Sequence, residues 1–147
     1  MPPENGEFAL EGLIGYNLKR AYVIVQEQFR AAMGDDGMSP RVFSALSLIV
    51  EIPNMTQSDL ARLLGIERSG LVAIIDELEG RDYLKRVAVP GDRRVQALSP
   101  TPEGARACSD AIARVKTYED AALNMLQPDE KDQLLALLKK VRIGRSD

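Results

Sequence analysis

Residues 56–80 carry the pattern that most restricts how this chain can fold. In "TQSDLARLLG", leucines at helical spacing follow Thr56, a residue suited to cap a helix, and Gly65 suits the left-handed position at a helix end. After Ile66, "ERSGLVAIIDELEG" again spaces apolar residues three and four apart. The residues expected to face the core are Leu60, Leu63, Leu64, Leu71, Ile74, Ile75 and Leu78. The spacing predicts two short helices joined by a turn, which is either a helix-turn-helix or an ordinary helical hairpin.

The segment that follows predicts a two-stranded hairpin with a charged tip. Residues 85–89 and 94–98 have strand propensity, and Pro90-Gly91-Asp92 is a typical turn sequence. The tip also carries the adjacent pair Arg93 and Arg94. These charges either keep a solvated hairpin soluble or form a basic finger that contacts a negatively charged partner. A helix-turn-helix followed directly by a basic hairpin is the arrangement of a winged helix, which favours the basic finger.

The charge distribution supports a negatively charged partner better than the net charge does. The net charge of −3 argues weakly against nucleic acid when it is taken over the whole chain. Between residues 81 and 94, however, five basic residues face only Asp82 and Asp92. The basic residues of this segment are Arg81, Lys85, Arg86, Arg93 and Arg94.

Further helices are predicted before the helix-turn-helix and after the hairpin. Residues 10–33 are apolar on so much of a helical circumference that burial on two sides is expected. A helix that begins after Ser39 and stops before Pro53 precedes the helix-turn-helix. A long helix begins near Thr101, and a leucine-rich last helix begins at Pro128. The expected fold class is mainly α with a small β-hairpin wing (α+β).

The residue types present exclude several common chemistries. The 147 residues include no histidine and one cysteine, so the usual His/Cys zinc sites and Ser-His or Cys-His nucleophile pairs cannot be assembled. We therefore expect a protein that is not an enzyme and uses no metal or cofactor. Cys108 is either a redox sensor or a small buried core residue, and the frequent burial of free cysteine favours the second interpretation.

The length of 147 residues suits one domain or two small modules that share a core, and the sequence shows no membrane segment. Its longer apolar runs, such as 48–50, are far shorter than a membrane span, and the acidic start lacks the features of a signal peptide. We expect a cytoplasmic protein.

The order of these parts resembles the MarR family of bacterial transcription regulators. The resemblance runs from about Leu10 to about Val141 and is carried by "TQSDLARLLGIERSGLVAIIDELEGRDYLKR" and "GDRRVQALSPTPEG". It implies a sequence-specific DNA-binding regulator, expected to be a repressor, that acts as a homodimer on a near-palindromic operator and is released by a small-molecule effector. It also implies dimerisation helices at 8–32 and 103–145 and a winged helix-turn-helix DNA-binding lobe at 39–100.

For the wing, the resemblance implies contacts with the DNA backbone and the minor groove. Asp92 is expected to steady the tip by pairing with an arginine, while Arg94 enters the groove and Arg93 takes a phosphate, or the two arginines exchange roles. A narrow minor groove concentrates negative potential, which favours an inserted guanidinium group.

The second helix of the pair departs from the family pattern. Family members often begin this helix with Ser-Thr-x-Thr-Arg, whereas this chain has Ser69-Gly70-Leu71-Val72-Ala73. Arg68 and Ser69 remain as polar contacts, and Val72 and Ala73 are suited to meet thymine methyl groups. Asp82 replaces a common glycine at a turn that favours a left-handed residue. The predicted DNA-contacting residues are Arg68, Ser69, Gly70, Val72, Ala73, Arg86, Asp92, Arg93 and Arg94.

An effector site is expected between the dimerisation helices and the winged lobe. "IGYNLKRA" resembles a stretch in a branch of the family whose effectors include aromatic acids and their coenzyme A thioesters. Tyr16, Arg20 and Phe43 would then offer an aromatic floor and a guanidinium group to an aryl carboxylate or a phosphate. The alternative is that both aromatic residues belong to the core and that Arg20 pairs with a nearby acid.

The alternative to a DNA-binding regulator is a winged-helix protein-interaction module that does not bind DNA. The acidic overall charge and the weakened second helix support that alternative. The acid and two arginines at the hairpin tip argue against it, because a protein interface does not require a guanidinium pair there.

Overall fold

The computed structural model describes residues 8–144, with the exception of the Arg93 side chain. A short 3-10 turn, Ala9–Gly12, precedes the first helix. The helices are α1 (Ile14–Met33), α2 (Pro40–Glu51), α3 (Gln57–Leu64), α4 (Arg68–Gly80), α5 (Pro102–Ala122) and α6 (Pro128–Ile143), and the strands are β1 (Met55–Thr56), β2 (Leu84–Val89) and β3 (Asp92–Pro100). The expected mainly helical fold with a β-hairpin wing is confirmed.

The helix starts follow from side chains close by in the sequence. Ser39, Thr56 and Thr101 each accept a hydrogen bond from the amide of the third residue beyond, at 3.3, 3.1 and 2.9 Å respectively. The side chain of Asp59 forms a 2.9 Å ion pair with Arg62. Gly65 ends α3 in the left-handed conformation, as expected.

The core lies between α2, α3, α4 and the sheet, with α5 packed against one side. Its largest fully buried side chains include Leu46, Ile49, Leu60, Ile75 and Leu78. The expectation that Leu63 belongs to this core is wrong, because the residue is 53% exposed. On a helix of only eight residues, α2 and α4 cover the side that carries Leu60, and Leu63 lies outside the covered sector.

The sheet of the described chain has the order β1-β3-β2 with antiparallel pairing. Both hairpin strands extend beyond the predicted runs, and Gly91 occupies the turn with a φ of +87°. The short strand β1, in which Met55 pairs with Leu98, was not predicted from the sequence, because a strand of two residues shows no alternation of polar and apolar residues. Because β1 leads directly into α3 and pairs with β3, it holds the start of α3 beside the wing.

The turn between α4 and β2 is closed by contacts with the start of α5. Asp82 adopts the left-handed conformation with a φ of +62°, as expected. The Thr101 hydroxyl donates a 2.6 Å hydrogen bond to the carbonyl of Asp82, and the Thr101 amide donates a 3.0 Å bond to the carbonyl of Tyr83. Gly104 lies directly against this backbone, so that an added Cβ would collide with the Tyr83 carbonyl.

We expect Gly104→Ala to lower the free energy of unfolding by about 1–3 kcal/mol, the usual cost of overpacking. The Tyr83 carbonyl is held by its bond to Thr101 and has little freedom to retreat. Gly70→Ala is the matched control, because open space surrounds that position inside α4, and we expect it to raise stability by about 0.5–1 kcal/mol. Urea titration checks both variants, and an unchanged midpoint for Gly104→Ala would contradict the prediction.

The terminal helices contribute little to the core. Of α1, only Ala32 is buried, although the helix packs along α5, and α6 has no buried residue. The apolar residues that these two helices expose are Leu13, Ile14, Leu18, Tyr22, Val23 and Ile24 at α1, and Leu135, Leu137, Leu138, Val141 and Ile143 on α6.

Cys108 is buried in the core, which agrees with the second interpretation of this residue. Its sulfur lies 3.7 Å from the Ser47 hydroxyl.

Candidate nucleic-acid interface

Helix α4 turns one face to the core and leaves the other open. Leu71, Ile74, Ile75 and Leu78 are buried, as the spacing predicted. The exposed side of its first two turns carries residues from the predicted DNA-contacting set. They are Arg68, Ser69, Val72 and Ala73, while Gly70 is half-buried with free space around its Cα.

The tip of the wing is organised by a backbone contact. Asp92 Oδ1 accepts a 3.0 Å hydrogen bond from the backbone N–H of Arg94. This contact is an Asx turn, which forms because the aspartate lies two residues before an amide at a tight turn. The expected pairing of Asp92 with an arginine side chain stays a prediction. The Arg94 side chain is exposed, and the Arg93 side chain lies outside those described.

Arg86 links the wing to α4. Its Nη2 lies 2.9 Å from Asp76 Oδ1, and its Nε lies 2.7 Å from Glu79 Oε1. The Arg86 side chain keeps 30% of its surface exposed, so these ion pairs are only partly protected from water. The two contacts brace the base of the wing against α4, which fixes the angle between the two elements expected to contact DNA.

The acidic residues in the second half of α4 have basic partners. Arg86 forms ion pairs with Asp76 and Glu79, and Arg81 forms one with Glu77 at 3.1 Å. Arg81 also donates to the backbone carbonyl of Asp36 at 2.9 Å, which ties the end of α4 to the loop between α1 and α2. These pairs offset negative charge on the helix that would otherwise repel phosphate groups.

Three arginine side chains line a cleft between α4, the wing and the start of α3. The cleft has a volume of about 280 Å³ and is lined by Thr56, Gln57, Ser58, Arg68, Arg86, Arg94, Val95 and Gln96. Arg68 is placed there by a 3.4 Å contact between its Nη2 and the Ser58 hydroxyl. The amide groups at the start of α3 add partial positive charge to the same place. The arrangement suits a phosphate group.

The contribution of α3 to this cleft was not predicted from the sequence. Thr56 was recognised as a helix cap, and Gln57 and Ser58 were not singled out. The capping pattern at Thr56 was the available signal, because it marks a helix start, where amide groups that the cap does not satisfy can bind an anion.

Two residues of the predicted effector site share an open cavity at the start of α1. Tyr16 and Arg20 line a volume of about 720 Å³ together with Phe8, Ala9, Glu11, Gly12 and Asn17. The Arg20 guanidinium carbon lies 5.8 Å from the centre of the Tyr16 ring, and Arg20 Nη1 lies 3.4 Å from the Tyr16 hydroxyl. The cavity thus offers an aromatic surface and a cation side by side.

The third residue of that predicted set lies elsewhere. Phe43 packs edge-to-face against Phe29, with 5.5 Å between ring centres, and does not line the cavity of Tyr16 and Arg20. A second cavity, of about 600 Å³, opens beside Phe29 and carries Tyr22 and Arg30. Phe43 belongs to α2, and the sequence does not show which part of α1 that helix packs against, so the spacing could not exclude Phe43 from the cavity of Tyr16 and Arg20.

The fold and this interface together define a winged helix-turn-helix DNA-binding protein. The sequence model of the MarR family matches residues 36–95. A curated relative, a putative transcriptional regulatory protein for the hcr operon of Thauera aromatica, is 28% identical over 95% of this chain and 88% of its own length.

Solved structures of repressors superpose over nearly the full length. The transcriptional repressor CouR bound to a 23-mer DNA duplex is 36% identical, with a TM-score of 0.85, over 90% of this chain and 94% of the other. CouR bound to p-coumaroyl-CoA is 34% identical, with a TM-score of 0.79, over 94% of this chain and 96% of the CouR chain.

The chain belongs to the MarR family of transcription regulators. Regulators of this family act as homodimers.

Proposed function

We propose that this protein is a cytoplasmic repressor that binds a near-palindromic operator as a homodimer and leaves it when a small-molecule effector binds. It acts by binding and not by catalysis. Residues 39–100 form the DNA-binding lobe, and residues 8–32 and 103–145 form the dimerisation helices, of which residue 145 lies outside the described chain.

The three-arginine cleft is the observation that carries the proposal. Arg68, Arg86 and Arg94 come from α4, β2 and β3, yet their side chains line one cleft beside the exposed face of α4. The guanidinium groups of Arg68 and Arg94 can bind phosphate through paired N–H donors, whereas the guanidinium group of Arg86 is held by Asp76 and Glu79. Phosphate contacts supply most of the sequence-independent affinity for DNA. We assign the cleft to the operator backbone, α4 to the major groove and the wing tip to the minor groove.

Residue roles follow from these positions. Arg68 and Arg94 contact DNA directly, with Arg93 beside Arg94 at the wing tip. Arg86 acts mainly by holding the wing against α4, because both acids that it contacts belong to that helix. Asp92 shapes the tip through its bond to the Arg94 amide.

Selection of bound sites from fragmented genomic DNA tests the proposal. We expect recovered fragments to share a two-fold symmetric sequence whose half-site centres lie about one helical turn apart, the spacing that suits paired recognition helices. A gel shift on such a site should be abolished by excess of the same duplex but not of unrelated DNA. Recovery of no preferred sequence would favour the protein-interaction module instead.

The Tyr16 and Arg20 cavity supports an aromatic acid or its coenzyme A thioester as the effector. Its volume lies within the range of small-molecule sites, and the guanidinium group beside the ring can receive a carboxylate or a phosphate. CouR, which is similar to this chain along nearly its whole length, binds p-coumaroyl-CoA. We place the effector in this cavity at the start of α1.

We expect Arg20→Ala to raise the effector concentration needed for half release from the operator about tenfold or more, while operator affinity stays within about twofold. The reason is that a charge-assisted hydrogen bond to the ligand is worth about 1.5–3 kcal/mol, and Arg20 lies outside the DNA-binding lobe. Fluorescence anisotropy of labelled operator, titrated with p-coumaroyl-CoA and with p-coumaric acid, measures both quantities.

Arg30→Ala is the matched control, because Arg30 lines the second cavity of α1. We expect it to leave release unchanged. If Arg30→Ala impairs release and Arg20→Ala does not, the effector belongs to the second cavity. If neither compound shifts the melting temperature or dissociates the DNA complex, the proposed effector class is wrong and the repressor proposal stands without it.

A further inference from the structure

An apolar patch occupies the centre of the exposed face of α4. Val72 is 45% exposed, and Ala73 beside it is also exposed. Arg68 and Asp76 lie one turn on either side of Val72 on this face.

The charged neighbours of this patch have partners within the protein. Arg68 reaches the Ser58 hydroxyl in the cleft at 3.4 Å, and Asp76 is held by Arg86 at 2.9 Å. In the segment 69–73, the Ser69 hydroxyl is the only side-chain hydrogen-bonding group. Base recognition by hydrogen bonds from this part of the helix is therefore limited to one hydroxyl.

The edges of the bases in the major groove restrict what an apolar patch can contact favourably. These edges present hydrogen-bond donors and acceptors, and the C5 methyl group of thymine is their distinctive apolar feature. An apolar side chain placed against a donor or acceptor would displace water without replacing its hydrogen bonds. A valine packed on a thymine methyl group carries no such penalty.

We infer that Val72, together with Ala73, selects thymine in each half-site by packing on the C5 methyl group. The inference rests on the proposed DNA binding and adds to it the chemical feature that this helix reads. The cleft of Arg68, Arg86 and Arg94 supports the placement, because a phosphate held there would bring the adjoining exposed side of α4 to the DNA. Specificity then comes from methyl groups, while the arginines supply affinity.

Replacing thymine with uracil, which lacks only the C5 methyl group, tests this directly. The operator is first selected from genomic DNA, and its thymines are then replaced one at a time in both half-sites. We expect uracil at the contacted position to weaken binding of the native protein about fourfold for each half-site, since burial of a methyl group is worth about that factor. Uracil at thymines outside the half-sites should have no effect.

Two valine variants assign the effect to a residue. Val72→Ala should bind the thymine operator more weakly and should distinguish it from the uracil operator less well than the native protein does, because alanine places less apolar surface against the methyl group. Val87→Ala is the matched control, because Val87 is 44% exposed but lies on β2 of the wing, and it should keep the native preference for thymine.

The outcomes separate this inference from the proposed function. An operator that binds equally well with uracil at every half-site thymine, or one whose half-sites contain no preferred thymine, overturns the inference and leaves DNA binding intact. A thymine preference that is undiminished in Val72→Ala also overturns it. Recovery of no operator at all counts against the proposed function itself.

Discussion

Replacing Arg94 with alanine is expected to lower operator affinity about 30-fold or more while leaving the fold unchanged. Each subunit of the homodimer would lose a guanidinium contact worth about 1–3 kcal/mol, and the two losses add because the half-sites are separate. The wing tip should keep its shape, because Asp92 bonds to the backbone N–H of residue 94, which alanine retains.

The salt dependence of binding shows what kind of contact Arg94 makes. If it neutralises a phosphate, the slope of log K against log salt should become shallower by about 1 unit for each subunit in Arg94→Ala. Arg94→Lys should restore most of the slope but less of the affinity, because lysine keeps the charge and loses the planar fork.

Arg106→Ala serves as the control for this prediction, since Arg106 is an exposed arginine on α5. It should leave both affinity and slope near the native values. Native affinity and slope in Arg94→Ala, measured by anisotropy from low to high salt, would remove the wing from the DNA-binding interface.

The double variant Ile14→Asp, Val141→Asp is expected to convert the protein to a folded monomer. Ile14 is 79% exposed and Val141 is 72% exposed, so neither change should disturb the core of one chain. Both lie on helices whose apolar surface the rest of the chain leaves uncovered. Two buried carboxylates per subunit in a dimer would be unpaired, which is strongly unfavourable.

Sedimentation equilibrium measures this change as a fall from twice the chain mass of 16.2 kDa to that mass itself. Operator affinity should fall about 100-fold or more, because a monomer loses the gain from two linked half-site contacts. Ile52→Asp, at an exposed apolar position after α2, should remain a dimer. A native protein that sediments as a folded monomer at micromolar concentration would contradict the assigned dimerisation helices.

Sequence reasoning correctly predicted the parts of this fold that depend on residues close together. Ser39 caps α2 through the amide of Val42, Gly65 ends α3, and Asp82 takes a left-handed turn conformation. Each of these features depends on the backbone within about one helical turn, so the residue types alone carry the information. The buried stripe of α4 follows for the same reason, because one long side of an amphipathic helix must face the core.

The contacts within the candidate DNA-binding site could not all be predicted from residues close together in the sequence. Arg86 was expected to contact DNA, and only the packed structure shows that it contacts Asp76 and Glu79. A basic residue in a strand has the same local sequence signal whether its partner is a phosphate or a carboxylate. The choice depends on how β2 lies across α4.

The amino-acid sequence was enough to establish the order and type of the helices and strands, the helix caps and turns, the basic hairpin, and the large apolar surface of the terminal helices. Tertiary structure alone decided that Arg68, Arg86 and Arg94 share one cleft, that Leu63 is exposed, and that Phe43 packs on Phe29 away from Tyr16 and Arg20. Periodicity tells which side of a helix is apolar, but not which neighbouring element covers it. That is settled by the packing of segments distant in the chain, as when Arg81 reaches the Asp36 carbonyl 45 residues away.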